Sequence, residues 1–365
     1  MATNIQMNRK TSDSEYQSIY PISDAAKVER RQKIINYLDG NTLEEIIQNT
    51  ANRYINPWGD KWTTVNTFNS TNTCLCGEDN FICFLYVDNN KLYGFYSSNN
   101  GLTWDIYTWD GNVSLNSMIG GVAIRGLAEN TFNICVANAT STSYYLTIDI
   151  NDSSNNKIES YPTFTGTVTG ILKTNDSFMM YGNSGYIYLS LFGDTSWTTS
   201  NVLLPNNITK IIYSNKYRKP IGIKNSNQVY TTWFGSLSSW ATSNIMSTSA
   251  TIVDINNTGD IFLGSDGIVY DTIKDKTYKT PSLNGDSWQY ILTTSDCECI
   301  FIISTQGRLA RKTETDGGIE LVGNVNLGSL TNGSFLILNN QIFGKFKENT
   351  GQLTTLIKAP LYSYK

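Results

Sequence analysis

Residues 81–104 read FICFLYVDNNKLYGFYSSNNGLTW, and the order of residue types in this stretch decides the fold. An apolar run, Phe81 to Val87, is followed by Asn89-Asn90 and then by Leu92-Tyr93, an aliphatic and an aromatic residue opening a second run. Two-residue hairpin turns need positive φ at both central positions, and asparagine tolerates that conformation better than most residues. The stretch therefore reads as two antiparallel strands joined by a tight turn. The same pattern recurs at Phe178 to Tyr181, Asn183-Ser184-Gly185 and Ile187-Tyr188, and at Asn225-Ser226-Asn227 before Val229-Tyr230. Further copies are Ser265-Asp266-Gly267 before Val269-Tyr270, Gln306-Gly307 before Leu309, and Asn339-Asn340 before Ile342-Phe343. A copy with a longer Ser/Thr-rich turn lies between Ile134-Cys135-Val136 and Tyr144-Tyr145-Leu146.

From turn to turn the copies step by about 33 to 50 residues, the length of one four-stranded blade, and a period of this size is the mark of a propeller. Tandem β-sandwiches, the other all-β arrangement with many short strands, would repeat at about 100 residues. The expected fold is all-β: a β-propeller of about seven blades over residues 61–365, preceded by a short, partly helical segment over 1–60.

Composition separates the two regions. Charged residues make up a quarter of the first 60 positions and about a seventh of the rest. Ser23 precedes a helical pattern carrying Val28, Ile34, Ile35 and Leu38 on one side and stopped by Gly40. Thr42 and Glu45 form a capping box for a second helix, whose stripe is Leu43, Ile46 and Ile47. Helices this short bury little by themselves, so their stripes need either another chain or one face of the same propeller as a cap.

Charge and residue types remove several functions. With 27 Lys+Arg against 31 Asp+Glu, a net charge of -4 and no run of like charges, the chain has no stripe to neutralise phosphates, so nucleic acid is not an expected partner. Histidine is absent, which removes Ser-His-Asp and Cys-His nucleophile systems and histidine metal sites. No glycine-rich phosphate loop is present, no uncharged stretch is long enough to cross a bilayer, and Met1–Lys10 lacks the apolar segment of an export signal. The cysteines are Cys74, Cys76, Cys83, Cys135, Cys297 and Cys299. Two Cys-x-Cys pairs on strands would each place both sulfurs on one face, which admits either a four-thiolate zinc site between blades or small apolar side chains in a core. No cofactor is expected.

After the first hairpin comes Ser97-Ser98-Asn99-Asn100-Gly101-Leu102-Thr103-Trp104, which resembles the Asp-box of sialidase-like propellers with Asn99 where that family has aspartate. Eroded copies are Phe192-Gly193-Asp194-Thr195-Ser196-Trp197 and Phe234-Gly235-Ser236-Leu237-Ser238-Ser239-Trp240. The resemblance implies a structural turn, with Trp104, Trp197 and Trp240 driven back between blades. Sialidases would also imply three arginines clamping a carboxylate. Arg125, Arg218, Arg308 and Arg311 are available, but the Phe-Arg-Ile-Pro segment that supplies the first is missing. No catalytic residue is assigned and no enzyme activity is expected.

The opening Ile5-Gln6-Met7-Asn8-Arg9-Lys10, then Tyr16 and Ile19-Tyr20-Pro21, looks like the start of tail-tip, baseplate and receptor-binding proteins of tailed bacteriophages. That resemblance implies a short strand, a Tyr-Pro turn and a helix that dock onto the particle through Tyr20, Pro21, Ile34, Ile35, Leu38, Leu43, Ile46 and Ile47. The expected function is a structural virion protein, made in the bacterial cytoplasm, whose partners are other tail proteins and a host-surface glycan. A sialidase-like glycosidase and a free carbohydrate-binding lectin are the alternatives. The ligand patch read from the sequence is Tyr217, Arg218 and Trp233, with Asn225, Asn227 and Gln228 as amide partners.

Overall fold

The computed structural model describes residues 5–10, 16–22 and most of 63–360, leaving out loop stretches of which 200–203, 245–249, 295–298, 313–317, 325–333 and 348–352 are the longest. The chain divides into two compact units, 1–57 with 363–365, and 58–362. In the first unit Ile5–Lys10 pairs antiparallel with Tyr16–Ile22, with a register shift between Met7 and Asn8. Tyr20 and Pro21 lie inside the second of these strands, opposite Met7 and Gln6, where the phage resemblance had implied a turn. Each strand of a two-stranded ribbon keeps one open edge, and there proline's missing N–H costs no ladder bond. The expected helices, with Ile34, Ile35, Leu38, Leu43, Ile46 and Ile47, lie outside the described residues.

The second unit is a seven-bladed β-propeller, each blade a four-stranded antiparallel sheet. Blade 1 is built from Thr73–Glu78, Phe81–Asp88, Lys91–Ser97 and Asp105–Trp109. Blades 2 to 6 begin at Met118, Val168, Ile208, Ile252 and Trp288. Blade 7 takes Ser334–Leu338, Gln341–Lys347 and Thr354–Pro360, and its fourth strand is Thr63–Phe68, from the opposite end of the chain. This closing strand runs antiparallel to Thr354–Pro360, with Thr64 opposite Ile357 and Phe68 opposite Thr354. The ring is thus locked by pairing residues distant in sequence.

Positive φ occurs where the turn chemistry demanded it: Asn89 at 47° and Asn90 at 62° turn the hairpin in which Asp88 faces Lys91. Six of the seven turns join the second and third strands of their blades. Asn339-Asn340 does not: Leu338 faces Gln341, so it joins the first and second strands of blade 7. The corresponding turn of blade 7 lies between Lys347 and Thr354, which explains why the last step looked short. Asparagine pairs suit any two-residue hairpin and carry no information on which hairpin of a blade they close.

Side chains alternate across each strand, so every blade buries two faces against its neighbours. The described residues form seven apolar clusters, one per seam between blades. Phe81, Cys83 and Leu85 face blade 2, while Ile82 and Phe84 face blade 7. The ends of the blades define two faces of the ring. First-to-second and third-to-fourth turns share the lower face; second-to-third turns and the links between blades share the upper.

The cysteines are core residues. Cys74 and Cys76 lie in the seam between blades 1 and 2, Cys135 between blades 2 and 3, and Cys299 between blades 6 and 7. Burial holds the Cys74 and Cys135 thiols far above their usual range. The two Cys-x-Cys stretches therefore serve seams separated by blades 7 and 1, and Cys297 lies outside the described residues. Among the described residues no group of three acids or cysteines is placed to hold a metal ion.

Candidate functional site

The seam between blades 7 and 1 is the one closed by the distant strand, and it opens into a cleft of about 390 Å³. Asn66, Thr67, Phe68 and Asn69 line one wall. Blade 1 supplies the other through Tyr86, Asp88, Phe95, Trp104, Asp105 and Ile106. Strand alternation explains the membership: Phe84, Tyr86 and Asp88 share one face of the second strand, and Phe95 stands beside them from the third. The rings form a continuous aromatic wall. Phe68 stacks on Phe84 at 4.5 Å and meets Tyr86 at 4.8 Å and Phe95 at 5.3 Å between centroids. Phe95 in turn lies parallel to Trp104 at 4.7 Å, with 3° between planes.

Trp104 is delivered by the turn singled out in the sequence. Ser97 Oγ accepts from the backbone N–H of Gly101 at 2.8 Å and donates to Asn99 Oδ1 at 2.9 Å. Asn99 Oδ1 accepts from the N–H groups of Leu102 and Thr103, and its Nδ2 donates to Thr103 Oγ1 at 2.8 Å. Asn99 caps these N–H groups with its amide oxygen, so the turn is satisfied. Gly101 adopts φ of 74°, and a Cβ there would come within 3.0 Å of the Phe343 ring. Its carbonyl accepts from Trp104 Nε1 at 3.2 Å and from Lys358 Nζ of blade 7 at 2.5 Å, clipping the turn across the seam.

The stretches ending in Trp197 and Trp240 differ. Trp197 packs between blades 2 and 3, 4.7 Å from the Tyr161 ring, and Trp240 packs between blades 3 and 4. Both fill seams as expected, but each indole N–H is buried without a hydrogen-bond partner. Trp240 also stands inside the strand Ser236–Asn244, with Trp233 facing Ser236, so blade 4 has a short hairpin where a copy of the blade 1 turn had been read.

Electrostatically the cleft is one-sided. Its lining holds two carboxylates, Asp88 and Asp105, and no Lys or Arg. Neither carboxylate forms an ion pair among the described residues. Burial pushes the Tyr86 hydroxyl above its usual range, with Tyr93 and Asp88 adding to the shift. Leu102 and Ile106, 74% and 58% exposed, extend the apolar surface beside the rings.

A larger cleft, about 600 Å³, lies between blades 5 and 6, and several of its polar groups are engaged within the chain. Asp286 Oδ1 accepts from the N–H groups of Ser287 and Gln306 and from the Thr305 hydroxyl. Thr280 Oγ1 and Trp288 Nε1 donate to the carbonyls of Gly267 and Pro281. Polar atoms satisfied in this way hold a turn and have less to offer a ligand.

The patch read from the sequence sits three blades away from the seam cleft. Tyr217 and Arg218 occupy a lower-face turn of blade 4, Arg218 exposed with φ of 51°. Trp233 ends the third strand at the same face, and its side chain is outside the described residues. Tyr217 is flanked by the ammonium groups of Lys216 at 4.8 Å and Lys219 at 5.6 Å. Asn227 and Gln228 belong to the upper turn, so the structure separates these amides from Tyr217 by the length of the blade; Asn225 is not described. The arginines do not gather either. Arg125 and Arg218 stand at lower ends of blades 2 and 4, while Arg308 opens a strand at the upper end of blade 6, 3.8 Å from Asp286.

No protein-family model matches the chain, and no curated protein does. Solved structures do. A chain from the crystal structure of the mitotic checkpoint complex is 7% identical with a TM-score of 0.55, covering 82% of this chain and 95% of that one. Sqt1 from Saccharomyces cerevisiae is 9% identical with a TM-score of 0.54, covering 84% and 98%. Identity this low shows a shared propeller fold alone.

Proposed function

We propose that this chain is a binding protein of a tailed phage or tail-like particle, in which residues 1–57 attach the subunit and the propeller takes a host-surface carbohydrate in the cleft between blades 7 and 1. The observation that carries the reading is the aromatic wall of that cleft with amides, a hydroxyl and carboxylates around it. Sugars are held by ring faces and a few polar groups, and the cleft combines both without a nucleophile or a metal ligand set. The N-terminal sequence supports the attachment, and a propeller offers a rigid platform on which such a cleft keeps its shape. Two measurements test the two halves. Full-length protein should co-sediment with assembled particles, and a chain starting at residue 58 should not; co-sedimentation of the truncated chain sinks the attachment. Soluble full-length protein should adsorb to host cells and be displaced by their wall glycan, and adsorption that no glycan displaces sinks the carbohydrate reading.

A further inference from the structure

Resting on the carbohydrate reading, we infer that the sugar taken by the seam cleft carries a protonated amine: a free hexosamine unit, in preference to an acidic or N-acylated sugar. The inference comes from the sign of the charge in the lining. Four aromatic rings, Phe68, Tyr86, Phe95 and Trp104, are joined there by Asp88 and Asp105, with no cation among the lining residues. Aromatic faces carry negative potential and attract an ammonium, and a carboxylate beside them acts in the same direction. A sialic acid, uronic acid or phosphorylated sugar would meet like charge from both aspartates and find no Lys or Arg in the lining to balance it.

The nearby cations do not alter this sign. Lys358 is turned onto the Gly101 carbonyl at 2.5 Å and is not part of the lining. Lys91 faces Asp88 across the hairpin in register and is not part of the lining. The other lysine crossing this seam, Lys345, donates to the Thr73 carbonyl and is buried away from the cleft. Asp105 is exposed and Asp88 half-buried, so both are reachable by a solute.

Calorimetric titration of the full chain with glucosamine oligomers and with N-acetylglucosamine oligomers of equal length tests the inference, since the ligands differ chiefly in the amine. The free-amine oligomer should bind about tenfold more tightly, one step of the affinity scale. Asp88→Asn and Asp105→Asn should each reduce that preference, weakening the free-amine oligomer more than the acetylated one, with circular dichroism confirming the fold. Equal affinity for the two oligomers, or tighter binding of a sialyl oligosaccharide, overturns the inference and leaves the carbohydrate reading standing. Binding of neither oligomer while a tetramethylammonium or trimethyl-lysine probe binds also overturns it, because the cleft would then read the cation without the sugar. Binding of no probe at all removes both readings of the cleft.

Discussion

The seam between blades 4 and 5 and the seam between blades 7 and 1 are each bridged by two lysines, but the lysines meet different acceptors. Between blades 4 and 5, Lys210 reaches Asp254 at 2.6 Å and Lys216 reaches Asp260 at 3.3 Å, both carboxylates nearly fully buried. Between blades 7 and 1, Lys345 donates to the Thr73 carbonyl at 2.6 Å and Lys358 to that of Gly101 at 2.5 Å. Carbonyls leave a buried ammonium incompletely balanced, so burial lowers both lysines' pKa values. The aliphatic seam spends its acids on its own lysines. The closing seam is held by aromatic packing, and its two acids, Asp88 and Asp105, make no ion pair among the described residues.

The comparison breaks most readily at the aromatic core. Phe343, fully buried against Phe84 and Leu356, should cost about 4 kcal/mol of unfolding free energy as Phe343→Ala, read by chemical denaturation. In the other seam Asp254→Ala should cost about 3 kcal/mol, because it leaves the Lys210 ammonium with the Ile255 carbonyl and no carboxylate, and removes the acceptor of the Ile291 N–H. A loss under about 1 kcal/mol there would mean that the pair behaves like an exposed one. Gly101→Ala should cost about 1 to 2 kcal/mol through the left-handed backbone and the nearby Phe343 and Trp104 rings. The smallest effect concerns pH. Lys345 releases its proton in the folded state below the ordinary lysine value of 10.5, so the penalty on its charged form is full at neutral pH and vanishes above 10.5. Stability relative to Lys345→Met should therefore rise as pH climbs toward 10.5, and a flat difference across that window contradicts the incomplete balance.

Why the sequence revealed one part of this contrast and not the other follows from range. Each hairpin is local, so Asn89-Asn90 and Gly267 announced their turns, and the Ser97–Trp104 turn announced an indole in a seam. Blade 7 was misphased because an asparagine pair closes any tight hairpin. The closing strand carries no local mark: Thr67 bonds the Thr355 hydroxyl, 288 residues away along the chain. Without that pairing nothing places Phe68 and Asn69 opposite Tyr86 and Trp104, so the cleft could not be read. The Tyr217 to Trp233 stretch looked like a patch for the converse reason. Its residues are close in sequence, yet a blade's up-and-down course sends Asn227 and Gln228 to the face opposite Tyr217.

The most direct test sets the two places against each other in one titration. Tyr86→Ala and Tyr217→Ala, each shown to keep the wild-type fold by circular dichroism, are titrated with solubilised host wall glycan alongside the unaltered protein. Removing one stacking ring from a sugar site weakens binding by about tenfold. That loss is expected for Tyr86→Ala, with Tyr217→Ala binding as the wild type does. Full affinity in Tyr86→Ala together with loss in Tyr217→Ala would contradict the assignment of the ligand to the seam between blades 7 and 1.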